Sequence, residues 1–585
     1  MTIRVRLADF LCKRIYDAGC HQMFGVPGDF NLGFLNRVME SPVEYVGCCN
    51  ELNAAYAADG CARITGLSAC VTTYAVGELS ALNGIAGAYA ECVPVIKITG
   101  APAREHYRQR PLLHHTLGDY MTPYHIYERV TVDQAILNDH RTAAKAIDRV
   151  VKHCLLFKQP VYIAVPSDMV DEEIDVDEDL VEWMAPKEPV SDPSALEEAV
   201  DEIVARVEKS KHPLFIPGVE LIRRSYQSLF EKITNKTKIP YVTMLLGKGI
   251  LGEDHPNFMG LYMGHRSRPE IKESVAASDC VIIFGEKLTD LNTGGFTQGF
   301  NDRNRVLINY DNVRIGSHGY TGIYFKDVLA GLLERLPERT EYPYDFPRAM
   351  HSCVNRADSP TRYSPNEKLS MKKVFKKFAQ YLQSDMVVIA ETGASMFATA
   401  ETMLPHGCMY FGQTFYGSIG YTVGACFGAS LALKREGKGR RVLLVVGDGS
   451  FQLTCQEVSS MVRFGCNPLV ILVNNDGYLI ERVITDNSYN DIQMWKYALL
   501  PQVFGLPEKA CFKCETIEQL DKALEYAKTE NDHMTFVEAV FEKWDCNLLL
   551  KSAGRMMALN NHLEPSITED MLEHAAQEQH QSTEP

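Results

Sequence analysis

The sequence predicts an α/β protein made of three doubly wound domains, each with a parallel sheet. Short apolar runs alternate with longer helical patterns along most of the chain, as expected for parallel βαβ units. The 585 residues exceed what a single hydrophobic core supports. Two stretches of altered composition, at about 171–193 and 337–366, separate three units. We therefore expect domains at 1–180, 192–340 and 366–560, followed by a polar tail at 563–585.

The first unit begins with a predicted amphipathic helix within residues 1–15. Five short apolar strands follow it in order, at 22–26, 43–47, 69–73, 94–99 and 160–165. An alanine-rich helix is predicted at 52–63, directly after the second of these strands. The acidic run Asp171–Asp179 then changes the composition, and its charge favours a solvated linker.

The second and third units repeat the alternation of strands and helices. Strands of the second unit are predicted at 213–217, 239–243, 280–284 and 305–309. The third unit spans about 368–545 and contains the apolar runs Val442–Val446 and Leu469–Val473, each long enough for one buried parallel strand. Beyond His562 the chain is polar and rich in Glu and Gln, which favours disorder.

Charge and composition exclude several classes of protein. The formal net charge is −16 and no long basic tract offsets it, so nucleic-acid binding is not expected. No uninterrupted apolar segment is long enough to span a membrane, and the N-terminal segment lacks the apolar core of a signal peptide. The 17 cysteines are dispersed and show no zinc-site spacing. We expect reduced thiols in a cytoplasmic protein.

The most informative motif is Gly447-Asp448-Gly449-Ser450, which follows one apolar run, while Asn474-Asn475 follows the next. Open α/β sheets bind ligands at the carboxyl ends of their strands, so both motifs should lie at one edge. Carboxylate, hydroxyl and amide oxygens are hard donors, suited to Mg²⁺ holding a diphosphate. Two ordinary βα turns are the alternative, but the spacing and the strand context favour a site.

Four further features carry chemically useful side chains. Glu51 lies near a helix start, where a capping role is the ordinary alternative. Asp29 lies in a strand-end turn, and Glu481 follows the asparagine pair. The pair His114-His115 lies in a loop among leucines. Adjacent histidines point in different directions on regular structure, so we expect proton transfer near pH 7 rather than chelation of one metal ion.

Taken together, these motifs resemble the thiamine-diphosphate-dependent 2-oxo-acid decarboxylases, specifically the pyruvate and indolepyruvate/phenylpyruvate decarboxylase branch. The resemblance covers about residues 3–560. It rests on the segments 24–31, 50–60, 77–84, 114–116, 391–393, 417–420 and 447–450, together with Asn474-Asn475 and Glu481. The resemblance implies an N-terminal pyrimidine-binding domain, a middle domain and a C-terminal domain that binds diphosphate and Mg²⁺. It also implies a cofactor held between two subunits, hence a homo-oligomer that is at least a dimer and commonly a tetramer.

The resemblance assigns the cofactor contacts residue by residue. Glu51 would hydrogen-bond to the aminopyrimidine ring, the Gly417 carbonyl would accept from its amino group, and Ile419 would support the bent cofactor. Thr392 and Ile480 are further implied contacts. Asp448, Asn475 and the Gly477 carbonyl would hold Mg²⁺, while Gly449 and Ser450 would contact the diphosphate. Asp29, His114, His115, Glu51 and Glu481 are the implied catalytic residues, and all but Glu51 would manage substrate binding, protonation and aldehyde release.

The predicted reaction is the non-oxidative decarboxylation of a 2-oxo acid to an aldehyde and CO₂. Pyruvate is the first expectation, with aromatic or branched-chain 2-oxo acids next, because Leu291, Ala394 and Met396 suggest a roomier pocket. Two alternatives are a carboligase of the acetolactate-synthase type, which would lack the His114-His115 pair, and an inert regulatory homologue, which would lose Glu51 or the metal ligands. No cysteine lies between Cys154 and Cys280, so activation through a middle-domain cysteine is not expected.

Overall fold

Three large sheets and one two-stranded sheet organise the chain in the computed structural model, which describes residues 2–352, 357 and 363–581. The predicted α/β class with parallel, doubly wound sheets is confirmed. Each sheet lies between helices, and strands in the sheet centres are buried along their full length. None of the helices in the described ranges is long and apolar enough to cross a bilayer.

The N-terminal sheet has six parallel strands in the order β3-β2-β4-β5-β7-β6, and β1 pairs with β8 beside it. Its strands are β1 (Thr2–Arg6), β2 (Gln22–Gly25), β3 (Glu44–Gly47), β4 (Ser68–Thr73), β5 (Val95–Ala101), β6 (Gln134–Ile136), β7 (Val161–Pro166) and β8 (Glu173–Asp177). Its helices are α1 (Leu7–Asp17), α2 (Leu32–Glu40), α3 (Glu51–Thr65), α4 (Val76–Ala90), α5 (Arg104–Gln109), α6 (Thr122–Tyr127) and α7 (Ala143–Phe157), with a 3₁₀ turn at Glu178–Leu180.

The middle sheet has seven strands in the order β11-β10-β9-β12-β13-β14-β15, of which the last two are antiparallel additions at one edge. Its strands are β9 (Pro213–Pro217), β10 (Tyr241–Thr243), β11 (Phe258–Leu261), β12 (Cys280–Phe284), β13 (Arg305–Ile308), β14 (Asn312–Ile315) and β15 (His318–Thr321). Its helices are α8 (Pro193–Lys209), α9 (Val219–Arg223), α10 (Gln227–Thr237), α11 (Pro269–Ala276), α12 (Phe325–Arg335) and α13 (Ala349–Ser352), with a 3₁₀ turn at Gly264–Arg266.

The C-terminal sheet has six parallel strands in the order β17-β16-β18-β19-β21-β20. Its strands are β16 (Val387–Ala390), β17 (Met409–Phe411), β18 (Val442–Gly447), β19 (Leu469–Asn474), β20 (Cys511–Cys514) and β21 (Thr535–Val540). Its longer helices are α14 (Met371–Tyr381), α16 (Tyr421–Glu436), α21 (Ile517–Thr529), α22 (Leu548–Asn560) and α23 (Glu569–Gln581). The short ones are α15 (Ala394–Ala400), α17 (Asp448–Thr454), α18 (Glu457–Arg463), α19 (Leu479–Ile484) and α20 (Leu500–Val503), with 3₁₀ turns at Ser488–Asn490, Tyr497–Leu499 and Glu508–Ala510.

The structure corrects the prediction at both ends of the N-terminal unit. The chain starts with a strand, β1, rather than a helix, and α1 begins only at Leu7. The acidic run is not wholly a linker, because Glu173–Asp177 forms β8 and pairs antiparallel with β1. Ile174 and Val176 alternate with the acids and are buried, so the apolar face of this strand outweighs its charge. The second predicted linker, 337–366, lies partly outside the described residues.

The expectation of a disordered tail is wrong for residues 569–581, which form α23. Two apolar side chains anchor this segment to the C-terminal core. Ile567 is buried there, and Leu572 packs against the same cluster. Burial of these side chains offsets the cost of ordering a polar segment. Residues 582–585 lie outside the described part of the chain.

Candidate active site

The C-terminal part of the candidate site lies at the carboxyl ends of β16, β18 and β19. The strand order changes direction between β16 and β18, and this crevice is where doubly wound sheets bind ligands. Both strands predicted from the apolar runs are present. Asp448 follows the end of β18, and Asn475 follows the end of β19. One pocket contains Glu481, which is predicted to be catalytic, and most of the predicted cofactor and metal contacts: Thr392, Ile419, Asp448, Gly449, Ser450, Asn475, Gly477 and Ile480.

Asp448 joins the two strand ends. Its Oδ1 accepts the Gly449 amide at 2.8 Å, and its Oδ2 accepts the amides of Asn475 at 3.2 Å and Gly477 at 3.0 Å. The carboxylate is buried, and burial raises the pKa of Asp448 to about 6 although the three amides oppose this shift. These bonds hold the carboxylate, the Asn475 side chain and the Gly477 carbonyl at one edge of the sheet.

The donor set fits a magnesium diphosphate. A carboxylate, an amide oxygen and a main-chain carbonyl are the ligands that Mg²⁺ prefers. Two glycines keep the loops close together. A Cβ at Gly449 would lie 2.5 Å from the Tyr478 ring, and one at Gly477, where φ is +120°, would lie 2.4 Å from the Asn490 carbonyl oxygen. A larger residue at Gly477 would require the backbone to move, and one at Gly449 would require the Tyr478 ring to move.

Arg482 holds the loop that follows β19 through hydrogen bonds to its main-chain carbonyls, a role that the sequence did not reveal. Its side chain is fully buried, and Nη1 donates to the Asn475 carbonyl at 3.2 Å. Nη2 donates to the Asn490 carbonyl at 3.3 Å and to Asp491 Oδ1 at 2.8 Å, and also contacts the Asp476 carbonyl. A buried arginine at this position of a short helix has no distinguishing sequence signal.

A second buried group, Glu391, supports the loop that carries Gly417 and Ile419. Its Oε1 accepts the Thr392 amide at 3.1 Å, and its Oε2 accepts the Gly420 amide at 3.2 Å and the Thr422 hydroxyl at 2.6 Å. Burial raises the pKa of Glu391 to about 7. Glu391 belongs to one of the motifs that carry the family resemblance, but its sequence context predicts no role for it. Gly417 itself is not among the residues that line the pocket.

Glu481 lies at the mouth of this pocket, at the start of α19. Its side chain is exposed to solvent, yet neighbouring protein atoms desolvate the carboxylate enough to raise its pKa. A raised pKa keeps part of the carboxyl population protonated closer to neutrality, which suits an acid that donates a proton.

The N-terminal domain presents a second group of predicted residues. Glu51 is the first residue of α3, after Asn50, whose side chain accepts the Asn53 amide at 2.8 Å. Asn50 is therefore the cap, and Glu51 is free of that role. The Glu51 carboxylate makes no hydrogen bond to any described residue, and its Oε1 faces Gly77, where a Cβ would lie only 3.1 Å away.

Asp29, His114 and His115 form one cluster. His114 Nε2 lies 2.6 Å from Asp29 Oδ2, and His115 Nε2 lies 3.7 Å from Asp29 Oδ1. Phe30 stacks on the His114 ring with centroids 5.1 Å apart. The expectation that the two histidines diverge is wrong, because His115 adopts a left-handed φ of +69° that turns both rings toward Asp29. Hydrogen bonding of a carboxylate to imidazole suits this cluster to proton transfer.

The pocket around Asp448 contains none of the predicted N-terminal site residues. In the described ranges, the residues that line the Asp448 pocket all lie between Thr392 and Glu481, and Asp29, Glu51, His114 and His115 are not among them. The two domains nevertheless pack tightly, since α3 lies against α16 in a core of small residues. The pocket around Asp448 is therefore built from C-terminal residues alone, as far as the structure describes the chain.

Comparison with known proteins supplies independent information. Three family models match the chain: the thiamine pyrophosphate enzyme N-terminal TPP binding domain at residues 5–123, the central domain at 200–325 and the C-terminal TPP binding domain at 391–539. A pyruvate decarboxylase of Candida glabrata is 35% identical over 95% of this chain and 99% of its own length. One from Aspergillus fumigatus is also 35% identical, over 95% and 98% respectively. Pyruvate decarboxylase isozyme 1 of Saccharomyces cerevisiae is 34% identical over 95% and 99%.

Proposed function

We propose a function from one premise: the chain belongs to the thiamine-diphosphate-dependent 2-oxo-acid decarboxylases. It is a carboxy-lyase that converts a 2-oxo acid to an aldehyde and CO₂ with thiamine diphosphate and Mg²⁺. The observation that carries this conclusion is the similarity to pyruvate decarboxylases over 95% of the chain. The matched N-terminal and C-terminal family models, at 5–123 and 391–539, include every predicted site residue. When bound, thiamine diphosphate supplies a thiazolium ring that accepts the electron pair left by CO₂.

The C-terminal pocket is the proposed diphosphate and metal half. Asp448, Asn475 and the Gly477 carbonyl would hold Mg²⁺, and Gly449 and Ser450 would contact the diphosphate. Support comes from the hard oxygen donors gathered around Asp448 and from the two glycines that the close loops require. Thr392, Gly417, Ile419 and Ile480 would position the rest of the cofactor, on loops that Glu391 and the buried hydrophobic core hold in place.

The N-terminal group is the proposed proton-transfer half. Glu51 offers a carboxylate that no described residue hydrogen-bonds, as required of a group that must hydrogen-bond to a cofactor ring. The Asp29–His114–His115 cluster would bind the substrate and move protons, because each imidazole has a carboxylate oxygen within 4 Å. Glu481 would act from the opposite half, where its raised pKa favours proton donation.

Because the described lining of the Asp448 pocket lacks the predicted N-terminal site residues, we propose that two chains complete each site. The surfaces near both halves support a partner copy. Leu112 is 96% exposed and Leu117 61% exposed near the histidines, while Phe415 and Leu453 are 45% and 48% exposed near the cofactor loops. Clusters of large exposed apolar side chains mark association surfaces. The active unit is therefore a homodimer or a homotetramer, with a solution mass at least twice 65.6 kDa by light scattering.

Pyruvate is the proposed first substrate, with larger apolar 2-oxo acids also accepted. Leu291 from the middle domain packs against the same cluster as Ala394 and Ile480, and the latter two line the cofactor pocket. Small or flexible aliphatic side chains at this edge leave room for a longer substrate chain. We also propose a cytoplasmic location, since all 16 cysteines in the described ranges are free thiols.

Aldehyde release tests this function. The purified chain, freed of cofactor, is assayed with pyruvate, 2-oxoisocaproate, phenylpyruvate and indolepyruvate, with and without thiamine diphosphate and Mg²⁺. We expect aldehyde and CO₂ in equal amounts only when both cofactors are present. Cofactor-independent turnover, or products that retain the carboxyl carbon, would contradict the assignment.

A further inference from the structure

A cavity of about 70 Å³ lies between the middle and C-terminal domains. This volume is several times the ~10–15 Å³ that a cavity needs in order to hold one water molecule. The walls are mainly apolar: Phe258, Met263 and Ile271 come from the middle domain, and Ala400, Met403 and Leu549 come from the C-terminal domain. It shares no lining residue with the pocket around Asp448.

Two arginines with unused donors also line this cavity. Arg266 Nε and Nη1 are buried from solvent and have no hydrogen-bond partner, and Nη2 makes only a 3.2 Å contact to the Met556 sulfur. Arg268 Nη1 is likewise buried without a partner, although its Nε forms an ion pair with Glu270 at 3.2 Å. Buried donors left unpaired are costly, and more so when they carry charge.

The acids in the cavity wall do not compensate Arg266. Glu253 is already paired with Lys248, whose Nζ lies 2.8 Å and 2.9 Å from its two oxygens. Glu401 accepts a hydrogen bond from Asn547 at 2.7 Å. Burial lowers the pKa of Arg266 to about 10, and the charge of Asp290 only partly opposes this shift. The guanidinium therefore lacks a close anionic partner within the described protein.

We propose that this cavity is a second ligand site, which binds a small monocarboxylate with a short apolar chain. The carboxylate would accept hydrogen bonds from Arg266, assisted by Arg268, and the chain would contact the wall formed by Met263, Ile271 and Leu549. The unused Nη1 donor of the charged guanidinium can give a charge-assisted hydrogen bond to a carboxylate oxygen, while the small apolar volume excludes large or multiply charged anions. This site is independent of the decarboxylase assignment.

The position of the cavity connects it to the candidate acid. Leu549 belongs to α22, and this helix packs against α19. At their contact, Gly554 of α22 lies so close to Val483 of α19 that a Cβ on Gly554 would be 2.6 Å from Val483 Cγ2. Glu481 lies on α19. A bound carboxylate would thus touch the helix that supports the element carrying Glu481.

Calorimetric titration of the full-length protein, loaded with thiamine diphosphate and Mg²⁺, tests the proposal. The probe is isovalerate, which has no oxo group to be decarboxylated, and its uncharged counterpart is 3-methylbutan-1-ol. We expect isovalerate to bind, and Arg266→Met to weaken it about tenfold or more, as for the loss of a charge-assisted bond. Arg314→Met, which removes an exposed arginine of the same domain, should leave binding unchanged.

Ala400→Leu fills the cavity while retaining both arginines. This variant replaces Arg266→Met in the binding test if Arg266→Met does not fold. Loss of isovalerate binding in Ala400→Leu supports the site. Three outcomes would overturn it: no binding by the wild type, equal binding by the wild type and the variant tested, or an alcohol that binds as tightly as the acid.

Discussion

Replacement of Glu391 by alanine should weaken thiamine diphosphate binding without touching the cofactor contacts themselves. The carboxylate is 1% exposed and holds the amides of Thr392 and Gly420 at 3.1 and 3.2 Å. Because these amides cannot rotate to new acceptors, the variant leaves two buried donors unpaired. The loop that carries Gly417 and Ile419 should therefore sample open forms.

The size of this effect follows from those two donors. An unsatisfied buried donor costs about 1–3 kcal/mol, so the ordered loop loses at least about 2 kcal/mol. If only a fraction of the molecules has an ordered loop, the apparent Kd equals the intrinsic Kd divided by that fraction. A loss of about 2 kcal/mol then corresponds to a ~30-fold rise in Kd. Entry of water into the space left behind reduces the loss, so we expect a rise of about 10- to 30-fold.

Equilibrium dialysis with thiamine diphosphate and saturating Mg²⁺ measures this Kd directly. Glu286→Ala is the matched control, because Glu286 is a buried glutamate of the middle domain that accepts from Lys287 N and Asn292 Nδ2 at 2.8 and 3.0 Å. It should lower thermal stability with little change in cofactor affinity. A Glu391→Ala protein that is folded by circular dichroism and binds cofactor within twofold of the wild type would refute the reasoning.

Three further outcomes are expected. Glu51→Gln should retain cofactor in dialysis yet lose at least about 10²-fold in aldehyde release, the usual scale for a proton-transfer group; undiminished turnover would exclude its role. Glu481→Gln should bind cofactor normally but slow turnover by a similar factor, and a normal rate would count against the proposed acid. Since burial raises the folded-state pKa of Glu391 to about 7, its stabilising contribution is present below its unfolded value and is lost as pH rises through 7. The melting temperature of the wild type minus that of Glu391→Gln should therefore fall between pH 5 and 8, and a constant difference would contradict the shift.

The central site was predictable because its elements are local in sequence. Apolar runs gave β18 and β19, and parallel strands necessarily bring Asp448 and Asn475 to one edge. Pairing between strands far apart in the sequence was harder to predict. β8 was missed because its partner lies some 170 residues earlier, although the buried Ile174 and Val176 show the period-two pattern of a strand.

Two further features of the candidate site could not be predicted from the sequence: an unusual backbone conformation and the roles of buried charged residues. Convergence of His114 and His115 on Asp29 depends on a left-handed residue that no turn-forming glycine or asparagine announces. Arg482 and Glu391 act through main-chain groups of distant loops, and nothing in their local sequence distinguishes them from surface residues. Such positioning groups emerge only when the tertiary structure places the loops around them.

The most direct test of the two-half site is complementation between inactive chains. Glu51→Gln impairs the N-terminal half and Asp448→Ala impairs the metal half, so each protein alone should be nearly inactive. If each site combines the halves of two chains, mixed dimers contain one site with both substitutions and one with neither. Unfolding, remixing and refolding the two proteins in equal amounts should then restore about a quarter of the wild-type aldehyde release, since half of the dimers are mixed and each has one intact site of two. Recovery no greater than in the separate samples, with mixed dimers demonstrated by differential tags, would contradict a site shared between chains.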